Sequence, residues 1–308
     1  MSDPLLTIEH LRVDFPDVVA VDDLSLTVAA GEVCGLIGPN GAGKTTTMRA
    51  VSGLQECTIG MVRVAGYELG HEPQEVNQRL GFMPDICPVY ERLTATEFLD
   101  HFARAYAVGN RRERIEQCLA LTWLTEKRDA LCEGLSRGMR QRLVLAKTLL
   151  PDPQVLLLDE PASGLDPLGR IELRKVLQKL KAADKAVLIS SHILSELSGF
   201  CTQAAIMECG RLVASGSLAE LGQRLRLRRM LVKWRADSDL ALPILRGAGV
   251  KNLETAELGA TFDFEGEADA LDGLLRTLVT SGVRVSEWRP LGDELEQIFL
   301  RSGAKELM

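Results

Sequence analysis

No apolar run in the 308-residue chain approaches the roughly 18 residues that a membrane-spanning helix needs. The opening MSDPLLTIEH lacks a basic stretch followed by an apolar one, so no secretory leader is readable. Cations are the minority charge, 36 Lys and Arg against 43 Asp and Glu, for a net charge of -7. That argues against a general nucleic-acid binder, because neutralising phosphates takes clustered cations, and any basic function must be local. The 7 cysteines are scattered, with no Cys-x-x-Cys pair and no histidine at zinc-ligand spacing. They are expected to be reduced, mostly buried thiols of a cytosolic protein. Internal repeats and low-complexity segments are also missing. The expectation is a soluble chain, which would need another protein to hold it at a membrane.

What is present is an ordinary globular composition, 46% hydrophobic and 26% charged, in a length that suits about two domains. Residues 5–28 read as short antiparallel strands, and Val33 to Ile37 as a buried strand feeding a glycine-rich loop and a helix from Lys44. Strand-like stretches follow at Met61 to Val64 and Arg79 to Met83. Thr94 to Ala107 reads as a helix opened by the capping-box pair Thr94 and Glu97, and Arg112 to Leu121 as another, within an α-helical insert over about 88–134. A further helix is expected from Arg140 to Leu150, then a buried strand in VLLLDE, a helix over Ile171 to Lys181, and a strand in AVLISSH. AAIMECGRLVASG alternates like a hairpin. Near residue 222 the character changes to the basic, alternating RLRLRRMLVKWRADSDL. The remainder reads as a strand, a helix at Ala268 to Thr280, a strand at Val283 to Trp288 and a helix at Asp293 to Leu300, a small separate α+β module. The expected domains are thus 1–221 and 222–308.

The segment GPNGAGKTT runs Gly38, Pro39, Asn40, Gly41, Ala42, Gly43, Lys44, Thr45, Thr46, between a buried strand and a helix. In that setting its glycines let successive N–H groups converge on anionic oxygens at a helix N-terminus. Lys44 would reach the β- and γ-phosphates of a nucleoside triphosphate, and the Thr45 hydroxyl would ligate Mg²⁺. In VLLLDEPASGLDP, Asp159 ends a buried strand, where it can hold the Mg²⁺ shell. Glu160, turned another way, can orient and deprotonate an attacking water, the alternative being a capping or salt-bridged acid. Adjacent acids with separable roles point to hydrolysis rather than transfer.

With these pieces placed, residues 5–220 resemble the nucleotide-binding domain of the ATP-binding cassette (ABC) family. GPNGAGKTT resembles its Walker A loop, LSRGMRQRL its signature (usually LSGGQ), VLLLDEP its Walker B, SGLD its D-loop, and His192 in SSHIL its switch histidine. The resemblance implies a P-loop NTPase fold, a RecA-like α/β core with an antiparallel β subdomain and a helical insert, followed by the C-terminal module. It also implies an ATPase with ATP and Mg²⁺ as cofactors. Two chains, expected as a homodimer, would sandwich two ATP molecules, Ser136, Gly138 and Asp166 of one chain completing the site of the other. Glu160, His192 and Lys44 would be the catalytic set, and Phe15 would stack on adenine unless it is an ordinary strand residue. Asp166 has a plainer alternative as a helix cap, and His192 as a hydrogen-bonded strand end.

Two departures from the family pattern stand out. Asp85 occupies the place of the Q-loop glutamine, where it can supply an oxygen to Mg²⁺ or simply form a turn after Pro84. Arg137 replaces the first signature glycine, with Ser136 and Gly138 kept. Arg140 and Arg142 are expected to serve packing and interface ion pairs. A single cassette with a C-terminal module is similar to bacterial export-type subunits, so the expected partner is a separate integral membrane permease, gripped by a groove between the insert and the Asp85 loop. The expected place is the cytoplasmic face of the cell membrane, peripherally bound. A soluble ABC ATPase acting on nucleic acid or the ribosome is the rival; it lacks support from any coiled-coil insertion or second cassette here. Its one favouring feature is the run Arg224, Arg226, Arg228, Arg229, Lys233 and Arg235, which also suits anionic lipid or a solvated face. A degenerate cassette that binds without turnover is the third reading, opposed by Glu160, Lys44 and His192 together.

Overall fold

Strands that stay apolar along their whole length need cover on both faces, and three segments of this chain meet that description. Val33–Ile37 (β3), Val155–Leu158 (β7) and Ala186–Ser191 (β8) are buried at every position. In the computed structural model, which describes residues 4–86, 88–192, 197, 200–218, 220–221, 227–235, 238–266 and 268–291, they form the centre of a six-stranded sheet. Its order is β10-β9-β3-β8-β7-β6, with Gln203–Glu208 (β9), Arg211–Ser217 (β10) and Leu80–Met83 (β6). β9, β3, β8, β7 and β6 pair in parallel.

A second sheet, antiparallel, joins Leu6–Phe15 (β1) and Val18–Val28 (β2) to Ile59–Val64 (β4) and Tyr67–Glu68 (β5). Its strands alternate, burying Leu6, Ile8, Leu11 and Val13. One core unites those residues with Leu36 of β3, Leu157 of β7, Leu188 of β8 and Met48 of Lys44–Val51 (α1). The helix is therefore clamped between the two sheets, which fixes the loop that precedes it.

Pro73–Arg79 (α2) buries only Val76 and shows no apolar periodicity; Arg79 is its last residue, so the strand expected from Arg79 begins at Leu80. The insert carries Ala95–Ala105 (α3) and Arg111–Leu121 (α4). At the start of α3 the Thr94 Oγ1 accepts the Glu97 N–H at 3.2 Å, and a Glu97 carboxylate oxygen accepts the Thr94 N–H at 2.8 Å. The Thr94 N–H and the Thr94 hydroxyl, which donates to the same carboxylate oxygen at 2.9 Å, together hold the Glu97 pKa below its ordinary value. Their contribution is therefore complete at neutral pH and is lost as pH falls through that lowered pKa. Thr94→Ala should cost about 1 kcal/mol of stability, measured by urea unfolding at neutral pH; an unchanged midpoint would deny the cap its role.

Arg137–Leu149 (α5) begins three residues before the expected Arg140, because Ser136 caps it. Pro167–Ala182 (α6) likewise starts earlier than Ile171, capped by Asp166 with Pro167 in its first turn.

By its internal contacts the chain divides into two units, Met1–Gly216 and Ser217–Met308. The second is built as Leu227–Trp234 (β11), Ser238–Gly247 (α7), Lys251–Ala256 (β12), Gly259–Glu265 (β13), Ala268–Thr280 (α8) and Val285–Pro290 (β14). The antiparallel order β12-β13-β11-β14 with this βαββαβ succession is the ferredoxin-like, split-βαβ arrangement. Met230, Val232 and Trp234 pack with Phe262, Ala241 and Leu274 in a separate core. Neither α7, which contains Pro243, nor the β12–β13 hairpin was expected from the sequence. The expected helix Asp293 to Leu300, Arg224, Arg226 and the Arg228 side chain lie outside the described residues.

Candidate functional site

Register brings three strand ends together. Ile37 pairs with Ser191 and Leu158 with Ile189, so the segments after β3, β7 and β8 begin side by side at the carboxyl edge of the sheet. That edge is where open parallel sheets bind ligands. A cleft of about 680 Å³ opens there, lined by residues 40–46 and by Asp85, Glu160, Ser163 and His192.

The loop's shape is set by glycine. Gly41 and Gly43 have φ of 83° and 100°, and a Cβ at Gly43 would lie 2.5 Å from the Ala20 carbonyl oxygen. Only glycine fits both the dihedral and the space. The turn leaves the first N–H groups of α1 without helical partners and directed to the cleft. Lys44, 6% exposed, donates to the carbonyl oxygens of Gly38 and Pro39 at 2.7 and 3.1 Å, and its Nζ is 3.7 Å from Glu160 Oε1. Burial lowers its pKa, against the pull of Glu160 and Asp159. Gly38 and Pro39 thus hold the lysine rather than line the cleft.

Asp159, 1% exposed, follows β7. The Ser190 hydroxyl donates to its Oδ1 at 2.6 Å, while its buried Oδ2 has no hydrogen-bond partner. Burial raises the Asp159 pKa, offset in part by Ser190 and the neighbouring Thr45 hydroxyl. Thr45 and Asp85 line both the cleft and an adjoining depression to which Asp159 contributes. Among the described residues, no three His, Cys, Asp or Glu side chains form a metal cage. This donor set fits Mg²⁺, which takes one or two carboxylates and fills its shell with waters and substrate phosphates.

Glu160 is the focal residue. Its φ of 48° is left-handed, uncommon for a side chain of this kind. Its Oε2 lies 2.8 Å from His192 Nδ1, and the side chain is 12% exposed. Its N–H donates to Ser190 Oγ at 2.8 Å, and its carbonyl accepts from Gln141 Nε2 at 3.2 Å. Lys44, Glu160 and His192 are therefore brought into one place from three strand ends.

The remaining expected residues sit elsewhere. Ser136 Oγ accepts the Met139 N–H at 3.3 Å and Asp166 Oδ1 accepts the Gly169 N–H at 2.8 Å, each capping its helix. Neither they nor Gly138 line the cleft of their own chain. Arg137 lies against Gly164, where a Cβ would come within 2.9 Å of the guanidinium. Arg140 donates to the carbonyls of Leu135 and Glu133, and Arg142 pairs with Glu172 at 2.6 Å. Arg140 and Arg142 thus have partners in their own chain. Phe15 does not line the cleft; it pairs across a turn with Val18, and the exposed Val18 and Val19 form the apolar wall instead. Cys209, Gly210 and these valines were missed by sequence reasoning. The apolar run VVAV after the turn at Pro16 was the only available signal for the wall.

Comparison with known proteins gives a consistent picture. Residues 21–163 match the family model described as ABC transporter. The chain is 41% identical over 208 residues to an uncharacterized ABC transporter ATP-binding protein of Nostoc sp., a stretch covering 66% of this chain and 62% of that protein. It is 31% identical over 304 residues to a daunorubicin resistance ATP-binding protein of Streptomyces coeruleorubidus, covering 97% of this chain and 96% of that one. A solved structure titled as the ATP binding subunit of an ABC transporter superposes with a TM-score of 0.66 at 30% identity, over 71% of this chain and 92% of the other.

Proposed function

This chain belongs to the ABC transporter family, as an ATP-hydrolysing ATP-binding subunit, and we propose that it works as a homodimer driving export through a separate membrane permease. The observation that carries the reading is the meeting of Lys44, Glu160 and His192 at one cleft beside a glycine-shaped phosphate loop. ATP lies with its phosphates on the N–H groups of residues 41–46 and on Lys44. Glu160 accepts the proton of the attacking water, and His192, hydrogen-bonded to it, orients that water toward the γ-phosphate. Lys44 and the loop N–H groups stabilise the charge of the transferring phosphoryl group. Mg²⁺, when bound, supplies charge neutralisation of the phosphates, with Thr45, Asp159 and Asp85 as its protein ligands.

Ser136, Gly138 and Asp166 stand outside their own chain's cleft, which supports their acting on ATP held by a second copy. The export direction is supported by similarity to the daunorubicin resistance protein along nearly the full length. No helix among the described residues is long and apolar enough to cross a membrane, and we propose that the chain binds peripherally at the cytoplasmic face, through the permease. The permease site would be the cleft lined by Leu54, Phe82, Ile86 and Tyr106, three of which are exposed apolar side chains. The described basic residues of β11 have acidic partners: Arg229 pairs with Glu254 at 3.0 Å and Lys233 with Glu287 at 2.7 Å. That face carries its own countercharge, which favours the transporter over a polyanion-binding role.

In cells expressing its permease, the chain should sediment with membranes. Ile86→Glu should shift most of it to the supernatant while ATP binding is unchanged. Wild-type chain found wholly in the supernatant would overturn the proposal.

A further inference from the structure

Ser190 is fully buried near the end of β8, and none of the motifs assigns it a role. Its hydroxyl makes two contacts at once, donating to Asp159 Oδ1 at 2.6 Å and accepting the Glu160 N–H at 2.8 Å. A hydroxyl can donate and accept from a single atom. At a position closed to solvent, water cannot replace either contact. The peptide it holds is the left-handed one, Glu160 with φ of 48°, a conformation that persists only where surroundings over-determine it. On the other side the Glu160 carbonyl accepts from Gln141 Nε2 at 3.2 Å and from the Ser163 N–H at 3.0 Å. With its backbone so turned, Glu160 places its carboxylate 3.7 Å from Lys44 Nζ and 2.8 Å from His192 Nδ1.

We propose that Ser190 is a positioning residue, holding Glu160 in its left-handed backbone and tying it to Asp159. The proton-accepting carboxylate and the carboxylate that would hold Mg²⁺ then keep a fixed relation. The proposal rests on Glu160 being the general base. Without the hydroxyl, the Glu160 N–H loses its partner, and Asp159, whose Oδ2 already lacks one, loses the Ser190 bond to Oδ1. The peptide then relaxes toward the ordinary backbone region and takes the carboxylate with it. Ser190 is buried and does not line the cleft, so its effect falls on the chemical step and leaves nucleotide binding in place.

The test uses the full chain and three variants, with ATP turnover measured alongside equilibrium binding of a fluorescent ATP analogue. Ser190→Ala should lower kcat by about tenfold to a hundredfold, part of the roughly 10²–10⁴ that a positioned base contributes. KM and analogue affinity should stay within about threefold, the signature of an interaction that matters only in the transition state. Ser190→Thr, which keeps the hydroxyl on a side chain suited to a strand, should recover most of kcat. The proposal is overturned if Ser190→Ala turns over at the parent rate, if its affinity falls as far as its kcat, or if threonine rescues nothing. Glu160→Gln separates the two levels. Normal turnover there removes the base reading itself, whereas an inactive Glu160→Gln beside an unimpaired Ser190→Ala removes only the role of Ser190.

Discussion

Glu160→Gln should reduce ATP turnover by about 10²–10⁴-fold, the usual contribution of a positioned general base, while ATP stays bound. The amide is nearly isosteric, keeps a hydrogen-bonding oxygen toward His192, and leaves the Ser190 and Gln141 contacts to the backbone untouched, since these involve the main chain. What it loses is the capacity to accept a proton from water. Bound ATP then persists, and because Ser136, Gly138 and Asp166 do not line their own chain's cleft and are proposed to act on a second copy's ATP, the lasting ligand should hold two chains together. Light scattering with saturating ATP and Mg²⁺ should report a doubled mass for the variant and a monomer without nucleotide. A variant that stays monomeric under ATP would undo the sandwich arrangement, and one that hydrolyses at the parent rate would remove Glu160 from the chemistry.

The parts of this site that could be read from sequence are those whose geometry is local. A glycine-rich loop between a buried strand and a helix dictates its own shape, so the loop was legible without knowledge of the fold, although only residues 40–46 of it line the cleft and Gly38 and Pro39 hold Lys44. The unbroken apolar runs of β3, β7 and β8 likewise identified a parallel sheet, because only strands covered on both faces can be apolar throughout. What was illegible depends on register or on weak local signals. Nothing in SSHIL distinguishes Ser190 from Ser191; only the pairing of Leu158 with Ile189 sets Ser190 beside Asp159. The start of α5 was misplaced because Arg137 and Gly138 lack an apolar face, whereas the true signal was the capping hydroxyl of Ser136. The α7 helix contains a proline and β12 buries no side chain fully, so neither shows the periodicity that identifies an element. Phe15, expected to stack on adenine or to be an ordinary strand residue, does not line the cleft, whereas Val18 and Val19, after the turn, do.

Lys44→Ala should fail differently from Glu160→Gln, and the difference is diagnostic. The lysine meets phosphate oxygens in the bound ground state as well as in the transition state, so its loss should weaken ATP binding and chemistry together. A hydrogen bond to a charged group is worth about 1.5–3 kcal/mol, which corresponds to a fall in affinity of roughly tenfold to a hundredfold. Removing one donor aimed at developing charge costs a further factor of about 10²–10³ in kcat, so turnover should drop below detection. Arginine should not rescue it. The ammonium is 6% exposed and fits between the carbonyls of Gly38 and Pro39, a space for a compact point charge and not for a planar guanidinium. The combined variant Lys44→Ala with Glu160→Gln then orders the two steps. If ATP must be held by Lys44 before two chains can close on it, the pair should remain monomeric at ATP concentrations that dimerise Glu160→Gln alone. Retained hydrolysis in Lys44→Ala would place the active site elsewhere, and a dimer in the combined variant would mean that chain association does not depend on the phosphate loop.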